Sequence, residues 1–237
     1  MIMAIKALQD TKHPAKKSDQ LDRYFAMARD FKDHFSRSCT PYFVGLWDTI
    51  SSIGWIENPV RLPYTSNNPD IQIGRHAIAI DERRAFFRPN LWHPTAAGGP
   101  KDIKQVWFPG VHSDVGGGYP ETESGLAKVT LAWLLDEARA AGLVIDRSRE
   151  DLVLGRKGGG YVAPDPQAAA HESLTLPWWP AELVFKRHYD WQTKKEERRM
   201  NLFRRRTIPP GSLIHQSAYQ RGEEYRRRLP ADGVPVQ

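Results

Sequence analysis

The sequence predicts an α/β fold: a parallel sheet flanked by helices, followed by a loop-rich, basic C-terminal region. Three observations lead there. The run "YFVGLWD" (42–48) is short, rich in aromatic and branched residues, and bounded by breakers, as expected of a strand buried on both faces. A second run, "IKQVWFPGVH" (103–112), has the same character. After it, "ESGLAKVTLAWLLDEARAA" (123–141) repeats apolar residues at helical spacing. Strands alternating with helices are the pattern of α/β proteins.

At 237 residues the chain is long enough for one domain, or one domain with an appendage. Residues 1–17 lack periodicity and read as a flexible start. From Asp19 to Ser36, apolar residues at Leu21, Tyr24, Phe25, Ala28, Phe31 and Phe35 fall at helical intervals, with Ser18 or Asp19 as N-cap. After the first strand, prolines 59, 63 and 69 mark a loop. "GRHAIAIDERRAFF" (74–87) reads as a short helix anchored by Ala77, Ile80 and Phe87. In the second strand Pro109 marks the strand's end or a bulge. Gly142 is a suitable stop for the helix after it. These elements make residues 18–146 the domain proper. Residues 147–237 are rich in Gly and Pro and weak in periodicity, and are read as an extension.

Composition excludes several classes. A single cysteine, Cys39, permits no intrachain disulfide and is read as buried or inert. The N-terminus has no signal-peptide h-region, and no apolar run approaches the roughly 20 residues of a membrane-spanning helix, so the chain is expected to be cytoplasmic when made. The net charge of +6 sits in the tail: residues 185–237 carry 13 Lys and Arg against 6 Asp and Glu, the remainder 21 against 22. A solvated face explains this, and attraction to an anionic surface is the sharper alternative.

The two strands end in residues that can do chemistry: Asp48 closes the first, His112 the second. Reactive groups in open α/β sheets gather beyond the carboxyl ends of strands. An acid followed in sequence by a histidine, each at a strand end, fits the later two members of a Ser…Asp…His triad. Histidine would act as base then acid, and aspartate would hold its tautomer. A structural histidine and a capping aspartate are the plainer alternatives. "GGGY" is not a dinucleotide fingerprint, so no cofactor is expected. His112 and Asp114 supply two donors without a third, so no metal is expected.

"FVGLWDTISSIG", "HAIAIDERRAFFRP", "VWFPGVHSDVGGGYPETESGLAKVTLAWLLDEA" and, more weakly, "IHQSAYQR" resemble successive motifs of a group of α/β hydrolases that includes phospholipase effectors of bacterial type VI secretion. The resemblance implies a partial α/β-hydrolase sheet, assigns Asp48 and His112 to a Ser–Asp–His triad, and implies a lipid or other ester as substrate. It gives Asp114, Gly116, Gly117 and Gly118 no catalytic role. It also implies that any export follows a non-Sec route, and it favours a membrane surface over nucleic acid as the basic tail's partner. Trp178 and Trp179 beside that tail would then lie at the lipid interface, or else pack on the domain.

The family's nucleophile elbow, G-x-S-x-G, has no counterpart: no serine has glycine at both −2 and +2. Ser113 is a poor substitute, because neighbours on a strand face opposite ways. The expectation is a hydrolase portion that supplies Asp48 and His112 to a serine outside this chain, with an N-terminal half acting in trans as a possible partner. The alternative is an inactive remnant serving as an interaction module. A sheet lacking its leading half should expose an unpaired edge and associate or unfold readily.

Overall fold

The computed structural model describes residues 17–37, 39–50, 54–55, 58–59, 68–92, 102–190 and 195–237. The expected flexible start, except Lys17, lies outside the described residues, as do much of the loop through 51–67 and residues 93–101.

The chain begins with helix α1 (Lys17–Phe35), then strand β1 (Phe43–Trp47) and a minimal antiparallel ladder of β2 (Gly54–Trp55) and β3 (Asn58–Pro59). Strands β4 (Ile73–Ala79) and β5 (Asp102–Phe108) lead into α2 (His112–Gly116), α3 (Gly125–Ala140) and α4 (Arg147–Val153). A short helix, α5 (Trp179–Glu182), precedes a hairpin of β6 (Lys186–Asp190) and β7 (Lys195–Arg199). Strand β8 (Leu213–His215), helices α6 (Gln216–Tyr219) and α7 (Glu223–Arg226), and β9 (Val234–Val236) complete the chain.

Five strands form one parallel sheet in the order β1-β4-β5-β8-β9. Side chains alternate across it. Ala77, Ala79, Val106 and Phe108 face α2 and α3, joining Val115, Val129, Trp133 and Leu134 in one buried cluster. Ile78, Ile80 and Trp107 face the other way and pack with Ile214, Ala218, Tyr225 and Leu229. A sheet covered on both faces needs apolar residues at consecutive positions, which is why "HAIAI" and "VWF" carry no polar alternation.

Three expectations need correction. "GRHAIAIDERRAFF" is not helical: Ile73–Ala79 is the strand between β1 and β5, and loop follows it. A short apolar run satisfies both periodicities, and pairing on both sides decides for the strand. β1 is not buried on both faces; it lies at the sheet's edge and is only half-buried. Cys39 is exposed. The sheet also draws β8 and β9 from the segment beyond residue 147, where no periodicity marked them.

Gly74 on β4 sits beneath the Trp92 ring, and an added Cβ would lie 2.2 Å from Cζ3. Overpacking of this kind costs about 1–3 kcal/mol. Gly74→Ala should therefore lower stability by that amount in urea unfolding, and an unchanged midpoint would contradict the packing described.

Candidate active site

β1 ends at Trp47, and Asp48 turns the chain with φ of 38°, a left-handed conformation costly for a non-glycine residue. The turn is held on both sides. The Asp48 N–H donates to Ala77 O at 2.7 Å, and the next N–H, of Thr49, donates to Nε2 of the buried His76 at 3.1 Å. His76 is thereby fixed as a neutral acceptor, and burial pushes its pKa down to about 4.

The Asp48 carboxylate is fully buried and surrounded by donors. Oδ1 accepts from the Ala79 N–H at 2.9 Å and from Arg206 Nη1 at 2.5 Å; Oδ2 accepts from Arg206 Nη2 at 3.0 Å. Oδ2 also lies 2.7 Å from His112 Nδ1. Burial alone would raise this carboxyl's pKa. The Arg206 charge and the hydrogen bonds from His112, Arg206 and Ala79 overcome that and hold it at about 2. The group is thus ionised at neutral pH, so Nδ1 must be the donor, leaving Nε2 of a neutral His112 as an acceptor.

His112 is not at the end of its strand. β5 stops at Phe108, the chain turns through Pro109 and Gly110, and His112 opens α2. Gly110 has φ of 107°, and a Cβ there would meet the Asp114 Cβ at 2.5 Å, so glycine is required. Glu82 steadies the same turn: its Oε2 accepts the His112 N–H at 3.2 Å, while Arg84 and Ser173 donate to its other lone pairs. Phe87 meets the imidazole edge-to-face with ring centres 5.2 Å apart, with Trp178 on Phe87 and Arg84 stacked over the Phe87 ring. The imidazole keeps about a quarter of its surface exposed. Among the described residues, nothing hydrogen-bonds to Nε2 and no serine, threonine or cysteine bonds to the ring. Ser113 lies on helix α2 rather than on a strand.

The structure thus brings Asp48 and His112 together at the carboxyl edge of the sheet. Asp114 serves elsewhere: Oδ2 accepts the Val111 and His171 N–H groups, and Oδ1 meets His171 Nδ1 at 2.6 Å, fastening the loop at 171 to α2. Among the described residues, no group of three or more His, Cys, Asp or Glu side chains is placed to hold a metal. Sequence reading missed Arg206, Glu82 and Phe87. The run "FRRR" looked like a solvated face, yet Arg206 is buried on Asp48 and Arg205 reaches Asp81 at 2.7 Å.

A parallel sheet covered by helices, with a hydrogen-bonded acid and histidine beyond its strand ends, is an α/β-hydrolase-like arrangement. The chain belongs to the family described as type VI secretion phospholipase effectors, Tle1-like, catalytic domain, which it matches over residues 2–137. It is also similar to an uncharacterized protein of Saccharomyces cerevisiae, YEL023C, at 51% identity over 45 residues, covering 18% of this chain and 7% of the yeast protein. No solved structure matches.

Arg206→Met would leave the Asp48 carboxylate buried without its main counter-charge. Stability should fall by about 3–5 kcal/mol. The wild-type carboxyl should stay ionised to about pH 2, so its contribution is present above the ordinary aspartate range and is lost progressively as pH falls from that range to about 2. In the variant the folded-state pKa should lie higher, so less acid-sensitive stability should remain and the fall across that range should be shallower. An acid unfolding curve unchanged by the substitution would contradict the arrangement.

Proposed function

We infer that this chain supplies the acid and the base of a Ser–Asp–His ester hydrolase acting on a lipid ester, with the serine coming from a polypeptide segment outside it. The observation that carries the reading is the 2.7 Å contact between ionised Asp48 and Nδ1 of His112, which leaves Nε2 ready to take a hydroxyl proton. In the reaction, His112 Nε2 accepts the serine proton as the hydroxyl attacks the acyl carbonyl. Asp48 stabilises the imidazolium without taking the proton. His112 then returns that proton to the leaving alcohol, and water repeats the sequence on the acyl-enzyme.

Two features support a missing nucleophile segment. Among the described residues, β1 has a sheet neighbour on one side only, and Asp48 lies at its end. Phe25, Met27, Phe31 and Phe35 of α1 are exposed, with Met27, Phe31 and Phe35 at four-residue spacing on one helix face, and Tyr42 and Trp47 flanking the β1 core are exposed as well. A strand bearing the serine, seated against β1, would cover that edge and bring its hydroxyl beside the Asp48–His112 pair.

A lipid substrate is supported by the family and by the surface near Phe87. Leu176, Trp179, Leu183 and Phe185 are 47–69% exposed, next to Trp178, which packs on the Phe87 ring beside His112. Large apolar side chains flanked by arginines suit contact with a bilayer of anionic lipid. Among the described residues no helix is long and apolar enough to cross a membrane.

The test is to produce the chain joined to, or together with, the polypeptide encoded immediately upstream and to measure fatty-acid release from phospholipid vesicles. Activity should require a G-x-S-x-G in that segment and should fall by about 10⁴-fold or more in His112→Ala. Release that is indifferent to His112→Ala would overturn the mechanism. No release with any upstream segment would favour the alternative of an inactive interaction module.

A further inference from the structure

The β6–β7 hairpin carries cations where sheet physics disfavours them. In its register Lys186 stands directly opposite Arg199, two like charges on one face, and His188 is the next residue of β6 on that face. Like charges directly opposite each other destabilise a ladder. Lys186 is nonetheless buried, 4% exposed, and its pKa is pushed down to about 7 by burial and by the charges of Arg88 and Arg199, against a partial offset from Glu182. His188 falls to about 3, first through burial and then through Arg88, Arg199 and Lys186.

Two of these side chains have buried ends without a hydrogen-bond partner. His188 Nε2 and Arg199 Nη1 are both shielded from solvent and make no hydrogen bond. Leaving such a group unpaired in the interior is unfavourable. Both residues line a pocket of about 170 Å³, several times the ~30 Å³ share of one water. The carboxylates nearby are already committed. Glu82 is held by Arg84. Glu182 accepts from the Ala85 N–H, the Asn201 amide and the Phe203 N–H. Asp48 is held by Arg206. Glu197, opposite His188 in the ladder, is exposed. A cation-lined pocket with a buried unpaired guanidinium N–H, an imidazole nitrogen that an anion would help to protonate, and a lining carboxylate already paired fits an anion with several acceptor oxygens.

Phe87 and Arg206 also line this pocket. One stands against the His112 ring and the other holds Asp48, so the pocket and the Asp48–His112 pair share a wall. We propose that the pocket between the β6–β7 hairpin and the 82–89 segment binds the phosphate of the substrate's headgroup, through His188, Arg199 and the neighbouring Lys186. The assignment rests on the lipid-ester reading above. It gives that reading a specificity element: the phosphodiester of a phosphoglyceride lies a few bonds from its acyl esters, and anchoring it would place a carbonyl near His112.

Calorimetric titration and thermal melting of this chain with inorganic phosphate and with glycerophosphocholine test the proposal. Glycerophosphocholine carries the headgroup phosphodiester without acyl chains. Both should bind saturably and raise the melting temperature. Lys186→Met and Arg199→Gln should each weaken binding at least tenfold. Without phosphate, Lys186→Met should melt no lower than the parent, because it removes a buried charge; a marked drop would mean Lys186 is already stabilised and would contradict the site. Binding of phosphate but not of glycerophosphocholine would assign the pocket to free phosphate and overturn the headgroup role. No binding of either, or variants that bind like the parent, would overturn the site altogether. Binding requires no hydrolysis, so failure here leaves the Asp48–His112 mechanism standing, and an inactive pair leaves the phosphate site standing.

Discussion

The ionised carboxylate of Asp48, enclosed without solvent, is the constraint on which the rest of the site depends. A bare carboxylate in that position would protonate or unfold the site. It stays charged because four donors from three places converge on it: the β4 backbone at Ala79, both arms of Arg206, and the imidazole of His112. Each donor is fixed in turn. Arg206 also donates to the carbonyls of Ala79 and Phe87, and the His112 backbone is tied to Glu82. The left-handed backbone at Asp48 is local strain held in place by this cage and by the sheet.

The same geometry explains which parts of the site could be read from the sequence. Asp48 and His112 follow recognisable apolar runs, and a residue just past a strand of a parallel sheet is a natural place for chemistry. Their contact spans 64 residues and reaches across the end of β4, which lies between β1 and β5 in the sheet. Arg206 is 158 residues from Asp48 and emerges from a segment without period, within a run of like charges that resembles solvent-facing surface. Nothing local distinguishes it from Arg204, which is exposed. β8 and β9, three residues each, are too short to show alternation; β8 is a strand because β5 offers it an edge, and β9 because β8 does. β4 misled for the opposite reason. Its apolar positions fit a helix as well as a strand, and its identity is settled by pairing with β1 and β5. Three of the four motifs that carry the resemblance, the β1 turn, β4 and the start of the β5–α2–α3 unit, fall within the matched residues 2–137, while "IHQSAYQR" lies beyond them.

Basic residues that look alike in sequence divide into roles in space. Arg75 bridges Asp102 and Glu137 at the far end of the sheet and ties α3 to β4 and β5. Arg205 and Arg206 neutralise Asp81 and Asp48. Among the described residues Lys186 and Arg199 of the β6–β7 hairpin form no ion pair with an acid, and their juxtaposition is a cost the fold bears close to the Asp48–His112 pair. Net charge alone could not have separated these cases, because it counts arginines without regard to where their partners lie.

The central claim is that His112 is held by a charged Asp48 in the tautomer that leaves Nε2 open. Nitrogen-15 NMR of the imidazole, recorded where the ring is neutral, reports the tautomer directly. The account predicts a proton on Nδ1 with a strongly deshielded resonance, and loss of that signal in Asp48→Asn. A neutral His112 protonated mainly on Nε2 in the parent protein would contradict it.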